Sequence, residues 1–142
     1  MITLANAQTI IATALALARA EGMPPMSVAV LGGGAHLIAF ASEDGSSLLR
    51  EKISRAKASG ALSLGVGSRA LAKRAETHPQ FFNSLVGLAG GEIVPVPGGV
   101  LVRDGNGEIV GAVGVSGHLP DADEACAIAG IQAAGLTADP GE

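Results

Sequence analysis

The run Val100-Leu101-Val102-Arg103-Asp104-Gly105-Asn106-Gly107-Glu108-Ile109-Val110-Gly111-Ala112-Val113-Gly114-Val115 holds two β-rich segments on either side of a five-residue turn. Asp, Asn and Gly tolerate positive φ, so Arg103 to Gly107 reads as the turn of an antiparallel hairpin and Val100–Val102 and Glu108–Val115 as its strands. Downstream, Ser116 to Asp121 reads as a loop. It leads into a helix over Ala122–Ala134 whose first turn carries the acids that a helix dipole favours. Residues Thr137 to Glu142 are expected to fray.

Working upstream, the glycine-rich stretch 87–99 encloses Ile93-Val94-Pro95-Val96-Pro97, where two prolines allow only an edge strand or an extended loop. Gln80 to Leu85 and Arg69 to Glu76 read as short helices separated at His78-Pro79. Leu48 to Leu64 reads as a longer helix, with Asp44-Gly45-Ser46-Ser47 as its turn and N-cap signal. Ser27–Leu31 and Leu37–Ala41 form a second hairpin about Gly32-Gly33-Gly34-Ala35-His36. Leu4 to Ala18 carries Ile10, Ile11, Ala14, Leu15 and Ala18 at helical spacing, with Thr3 as N-cap and Gly22 with Pro24-Pro25 as the stop. No Lys or Arg precedes this run, and Asn6, Gln8, Thr9 and Thr13 interrupt it. It is therefore read as a buried helix and not a secretory or membrane segment, and a cytoplasmic protein is expected. The order helix, hairpin, helices, hairpin, helix gives an α+β class with an antiparallel sheet covered by helices.

At 142 residues the chain is expected to be one domain with one site per subunit. Hydrophobic residues make up 48% and charged ones 15%, which argues against disorder. A net charge of −4 and the lack of Trp and Tyr argue against a nucleic-acid partner. The single cysteine, Cys126, cannot form an internal disulfide or a multi-cysteine metal site, and reads as a small buried hydrophobe. Ala and Gly supply 47 residues, so backbones can approach closely. With so few large side chains an oligomer is expected.

Seven of the nine basic residues fall between Arg50 and Arg74, while residues 118–142 hold five acids and no Lys or Arg. The basic stretch reads as a solvated helix face, as a partner for the acidic segment, or as a wall on which Arg55 and Lys57 flank a pocket for an anion. The Gly114-Val115-Ser116-Gly117-His118 segment reads as a strand-to-helix loop whose amides suit a carboxylate or oxyanion. His118 with Asp121, Asp123 and Glu124 nearby could perform acid–base chemistry or hold a divalent metal. Equally, Asp121 could be an N-cap and the other acids could simply complement the helix dipole. His36 and His78 read first as solvated loop histidines. Gly65-Val66-Gly67-Ser68-Arg69-Ala70 has the spacing of a dinucleotide fingerprint but follows a helix, so it reads as a helix break. No P-loop, G-x-S-x-G elbow or H-E-x-x-H motif is present.

Five segments together resemble the GlcG/HbpS family, which includes the C-terminal domain of PduO-type corrinoid adenosyltransferases. They are Val30-Leu31-Gly32-Gly33-Gly34-Ala35-His36-Leu37, Lys57-Ala58, Pro97-Gly98-Gly99-Val100, Gly111-Ala112-Val113-Gly114-Val115-Ser116-Gly117 and Asp123-Glu124. The resemblance spans nearly the whole chain. It implies a profilin-like, five-stranded antiparallel sheet flanked by helices, with dimers assembling to an octamer, and heme or a related tetrapyrrole as the small-molecule ligand. It also implies a setting among genes of small-molecule catabolism. A ligand-binding set of His36, Arg55, Lys57, Gly98, Gly99, Gly114, Ser116 and Gly117 follows, with His36 or His118 meeting heme and Arg55 or Lys57 meeting its propionates. The alternative is a lyase, isomerase or hydrolase acting on a carboxylated or aromatic metabolite, with His118 as acid or base and Asp123 or Glu124 orienting it. The chain departs from the family pattern at Gly32, where an aspartate is usual, at Ala35, where a glycine is usual, and at Gly60 and Leu101, where threonine and proline are usual.

Overall fold

Thr3 opens the first helix as its sequence predicts. Its Oγ1 accepts from the Asn6 amide and the Asn6 side chain accepts from the Thr3 amide, both at 3.0 Å, a reciprocal cap that satisfies otherwise orphaned donors. This helix, α1 (Leu4–Ala20), is followed by β1 (Ser27–Gly32), β2 (Leu37–Ser42), α2 (Leu49–Leu64), α3 (Ser68–Thr77) and α4 (Pro79–Leu88). Then come β3 (Gly99–Arg103), β4 (Ile109–Ser116), α5 (Pro120–Ala133) and β5 (Thr137–Asp139). The computed structural model describes all residues, 1–142. The strands form one antiparallel sheet in the order β2-β1-β4-β3-β5, giving the expected α+β architecture of a five-stranded sheet flanked by helices.

Strand alternation divides the core into two faces. Val28, Val30, Val100, Val102, Val113 and Val115 pack against Ala7, Ile10 and Ala14 of α1 and Cys126, Ala127 and Ile131 of α5. Full burial of each valine contributes about 1.5–3 kcal/mol as an upper bound. Burial also pushes the Cys126 thiol up to about 11, so it behaves as the small hydrophobe its sequence context suggests. On the other face Leu31, Leu101 and Ala112 meet Ala58 and Ala61 of α2. Here the close approach is set by backbone: Gly99 and Gly114 are cross-strand partners, and a Cβ on either would collide with the Lys57 or Ser54 carbonyl of α2. The glycines therefore fix α2 directly on the sheet, and with it every side chain that α2 carries.

Four expectations need correction. The tail does not fray: Leu101, Val102 and Arg103 pair with Asp139, Ala138 and Thr137, Arg103 Nε meets Asp139 Oδ2 at 2.9 Å, and Pro140 O accepts from the Arg69 amide. Gly114, Val115 and Ser116 are not loop residues, because β4 continues to Ser116 by pairing with Ala29, Val28 and Ser27 of β1. The N-cap of α2 is Leu48, with no side-chain bond, since Ser46 is occupied with the Ser27 hydroxyl at 2.9 Å. The N-cap of α5 is Leu119 rather than Asp121, with Pro120 at the first helical position, where a missing N–H costs nothing. Of the two options for Ile93–Pro97, the loop is realised.

Candidate functional site

Two clusters of polar groups lie at opposite ends of β1. At its C-terminal end the turn to β2 is closed by the Gly32 amide donating to His36 O and the Ala35 amide donating to Gly32 O, both at 2.9 Å. This geometry places Ala35 at φ +64, a left-handed conformation that a glycine adopts without strain. The His36 imidazole lies across Gly32, where any Cβ would collide with the ring. In this chain the glycine at 32 accommodates the ring in that position.

Beside this turn is a pocket of ≈ 380 Å³. Leu31 and Ala56 give it an apolar floor, Ala35 closes the turn side, and Lys52 and Arg55 of α2 and Gly90, Gly91 and Glu92 line the rest. Arg55 reaches Glu51 only at 3.8 Å between half-exposed side chains, and Lys52 has no carboxylate within ion-pair distance. Both cations are therefore available to a ligand. Ser59 Oγ donates to Glu92 O at 2.8 Å and ties the 90–92 segment to α2.

At the N-terminal end of β1, Lys57 points inward. Its Nζ donates to Asp123 Oδ2 and to Val115 O, each at 3.0 Å, with both side chains almost wholly buried. Burial pushes the Lys57 ammonium below its ordinary value, opposed mainly by the Asp123 charge, and pushes the Asp123 carboxyl up, opposed mainly by Lys57. Asp123 Oδ1 also accepts from the His118 backbone amide at 2.9 Å. Glu124 is held by Arg69 through bonds of 2.9 to 3.2 Å, and Asp121 by the same guanidinium, whose pKa rises above its ordinary value because both carboxylates bond to it. Arg50 donates to the buried Ser116 hydroxyl at 3.0 Å. The acidic segment thus pairs with the basic one inside the chain.

The sequence-selected residues therefore separate. Arg55 lines the turn-end pocket, while His36 follows the lining residue Ala35 in the chain and lays its ring over Gly32. Lys57, Gly98, Gly99, Gly114, Ser116, Gly117 and Asp123 gather at the other end, with the exposed His118 above them. Since Ser27 pairs with Ser116 and β1 runs on to Gly32, the two ends lie about 17 Å apart at ~3.3 Å per residue. Gly98 and Gly99 admit Lys57 and α2, Gly114 admits Ser54, and Gly117 packs on Pro25 and Met26, so these glycines serve close packing. The proposed pairing of the His118 imidazole with Asp123 or Glu124 does not form: Asp123 bonds its backbone and Glu124 bonds Arg69. Nor do three or more His, Cys, Asp or Glu side chains converge as a metal cluster would require. His78 is exposed, with Nδ1 2.9 Å from Thr77 Oγ1. Lys52 and Glu92 were not foreseen; Lys52 is legible as the i−3 neighbour of Arg55, but a loop residue such as Glu92 has no periodic signal.

The family model described as "Haem degrading protein HbpS-like" matches residues 2–132. The chain belongs to the HbpS-like family. Among solved structures, this HbpS-like chain is similar to ORFY of Klebsiella pneumoniae, at 26% identity and TM-score 0.84, with 94% of this chain and 90% of that one covered. It is similar to a double mutant of HbpS from Streptomyces reticuli, at 27% identity and TM-score 0.81, with 93% and 86% covered. PduOC, solved as a heme complex, shares the fold at 18% identity and TM-score 0.83, with 92% and 93% covered. No curated protein matches the sequence. No helix is long and apolar enough to cross a membrane.

Proposed function

We propose that this HbpS-like protein binds a small anionic ligand, a heme or related tetrapyrrole, at the pocket beside the β1–β2 turn. The observation that carries the reading is the pair of uncommitted cations, Lys52 and Arg55, facing a cavity with an apolar floor. Heme fits this chemistry. Its propionates match the guanidinium and ammonium, its hydrophobic edge matches Leu31 and Ala56, and imidazole is a suitable axial ligand for its iron. His36 is the one histidine adjoining a residue of the pocket. The family membership and the heme complex of PduOC support the same choice. A pocket of ≈ 380 Å³ lies at the small end of ligand sites, so one edge of the macrocycle enters it. Exposed Phe81, Leu88 and Leu119 support assembly into a homo-oligomer, dimers building an octamer, which light scattering would measure.

The enzymatic reading centred on His118 is less well supported, because Asp123 and Glu124 are already engaged by Lys57 and Arg69. Titration of purified protein with hemin, followed by its Soret band, tests the proposal. The expected result is a saturable shift, with affinity falling about tenfold in His36→Ala and staying within about twofold in His118→Ala. No saturable shift overturns heme binding, and loss confined to His118→Ala moves the site to the other end of β1.

A further inference from the structure

Lys52, Arg55, Ala56 and Ser59 stand at i, i+3, i+4 and i+7 along α2, a spacing that puts them on one helix face, and all four line the turn-end pocket. Gly90, Gly91 and Glu92 line the same cavity from the connection between α4 and β3. Within residues 89–97 of that connection, the Ser59 hydroxyl donating to Glu92 O at 2.8 Å is the single hydrogen bond to α2 or to the sheet; the others stay inside the connection or return to α4. The next residue of each partner continues the contact by packing. Ile93 is buried, and a Cβ on Gly60 would come within 3.2 Å of its Cα and Cγ2. On the other side of the tie, Gly90 and Gly91 take φ of +65 and +84, with nothing within 4 Å of where a Cβ would stand. This wall of the pocket is therefore a short glycine segment in open surroundings, held to α2 by one hydroxyl.

Resting on the proposed ligand reading, we infer that Ser59 is a positioning residue for ligand binding: its hydroxyl, through Glu92 O, holds residues 90–92 as a wall of the pocket that Lys52 and Arg55 also line. Cations and wall are then fixed to the same helix, so the cavity is formed before the ligand arrives and less order is lost on binding. Without the hydroxyl, Ile93 still anchors the connection through its packing on Gly60, but residues 90–92 fluctuate and the ligand must order them. The effect falls on affinity more than on folding.

The test uses the full chain, hemin and three variants: Ser59→Ala, Ser59→Thr, and Ser27→Ala, which removes buried hydroxyl contacts to Ser42 and Ser46 at the far end of β1. In the absence of hemin, amide hydrogen exchange at Gly91 and Glu92 should be about fivefold faster in Ser59→Ala than in wild type. The same variant should bind hemin about fivefold more weakly in a Soret titration, while Ser59→Thr, which keeps the hydroxyl, stays within about twofold of wild type. Ser27→Ala should lower the melting temperature yet bind hemin within about twofold of wild type, which separates positioning of the wall from general loss of stability. Unchanged hemin affinity in Ser59→Ala, or an equal loss in Ser59→Thr or Ser27→Ala, overturns the role of Ser59 while leaving heme binding in place. Wild type that takes up no hemin overturns the heme reading, and the role of Ser59 in binding with it.

Discussion

Arg55 and Lys57 are two residues apart in one helix and have opposite fates. Residues at that spacing do not share a helix face. Lys57 turns into the interior and is consumed by Asp123 and Val115, whereas Arg55 turns out into the turn-end pocket with only a loose contact to Glu51. The first arrangement joins α2, β4 and the start of α5 and fixes the backbone at His118. The second leaves charge uncommitted beside an apolar floor. Two cations from one basic run thus serve architecture at one end of the sheet and, in the proposed function, recognition at the other.

The largest effect expected from this contrast is on stability. Lys57→Met leaves Asp123 buried without its partner and should lower the unfolding free energy by about 3–5 kcal/mol in urea titrations. Combining it with Asp123→Leu should restore most of that loss, because the double variant buries no unpaired charge. Full stability in Lys57→Met alone would break the division between the two ends. Next in size, Gly114→Ala places a methyl against the Ser54 carbonyl and should cost about 1–3 kcal/mol, measurable in the same assay. The equivalent change at the unobstructed Gly87 should cost nothing by collision.

The pH dependence sharpens the contrast further. Asp123 titrates higher in the folded state than its unfolded value of about 3.9, so the folded protein holds the extra proton and stability falls as pH rises through that window. Lys57 titrates lower when folded than its unfolded value of about 10.4, so stability rises with pH up to that value. The stability of the Lys57→Met and Asp123→Leu double variant relative to wild type should therefore be highest between the two windows and fall towards either extreme. The smallest effect is at the turn: Ala35→Gly should raise stability by up to about 1 kcal/mol, the relief at positive φ exceeding the added freedom of the unfolded chain. A drop in melting temperature would show that Ala35 is not strained there.

Both hairpins were legible because their turns are built from Gly, Asn and Asp between alternating apolar runs, and α1 because Thr3 and Pro24-Pro25 bracket it. β5 was not, since Thr137-Ala138-Asp139 is too short to show a period and exists only because β3 offers it a free edge. The strand reading stopped at Val115, one residue before β4 ends, because serine followed by glycine conceals the pairing of Ser116 with Ser27 of β1. At the site, the sequence identified the basic run and His36. Which cation is neutralised depends on Asp123, 66 positions away from Lys57 and brought there only by the fold. Glu92 lay outside every motif, and its place in the pocket follows from the tether to Ser59.

The most direct test of the division is the hemin affinity of Arg55→Gln beside that of the Lys57→Met and Asp123→Leu double variant, each followed by its Soret band at equal ionic strength. A folded Arg55→Gln protein should bind about tenfold more weakly than wild type, and the double variant should bind within about twofold of it. Weakened binding in the double variant with wild-type affinity in Arg55→Gln would contradict the account, placing recognition at the buried pair and leaving the turn-end pocket without a ligand.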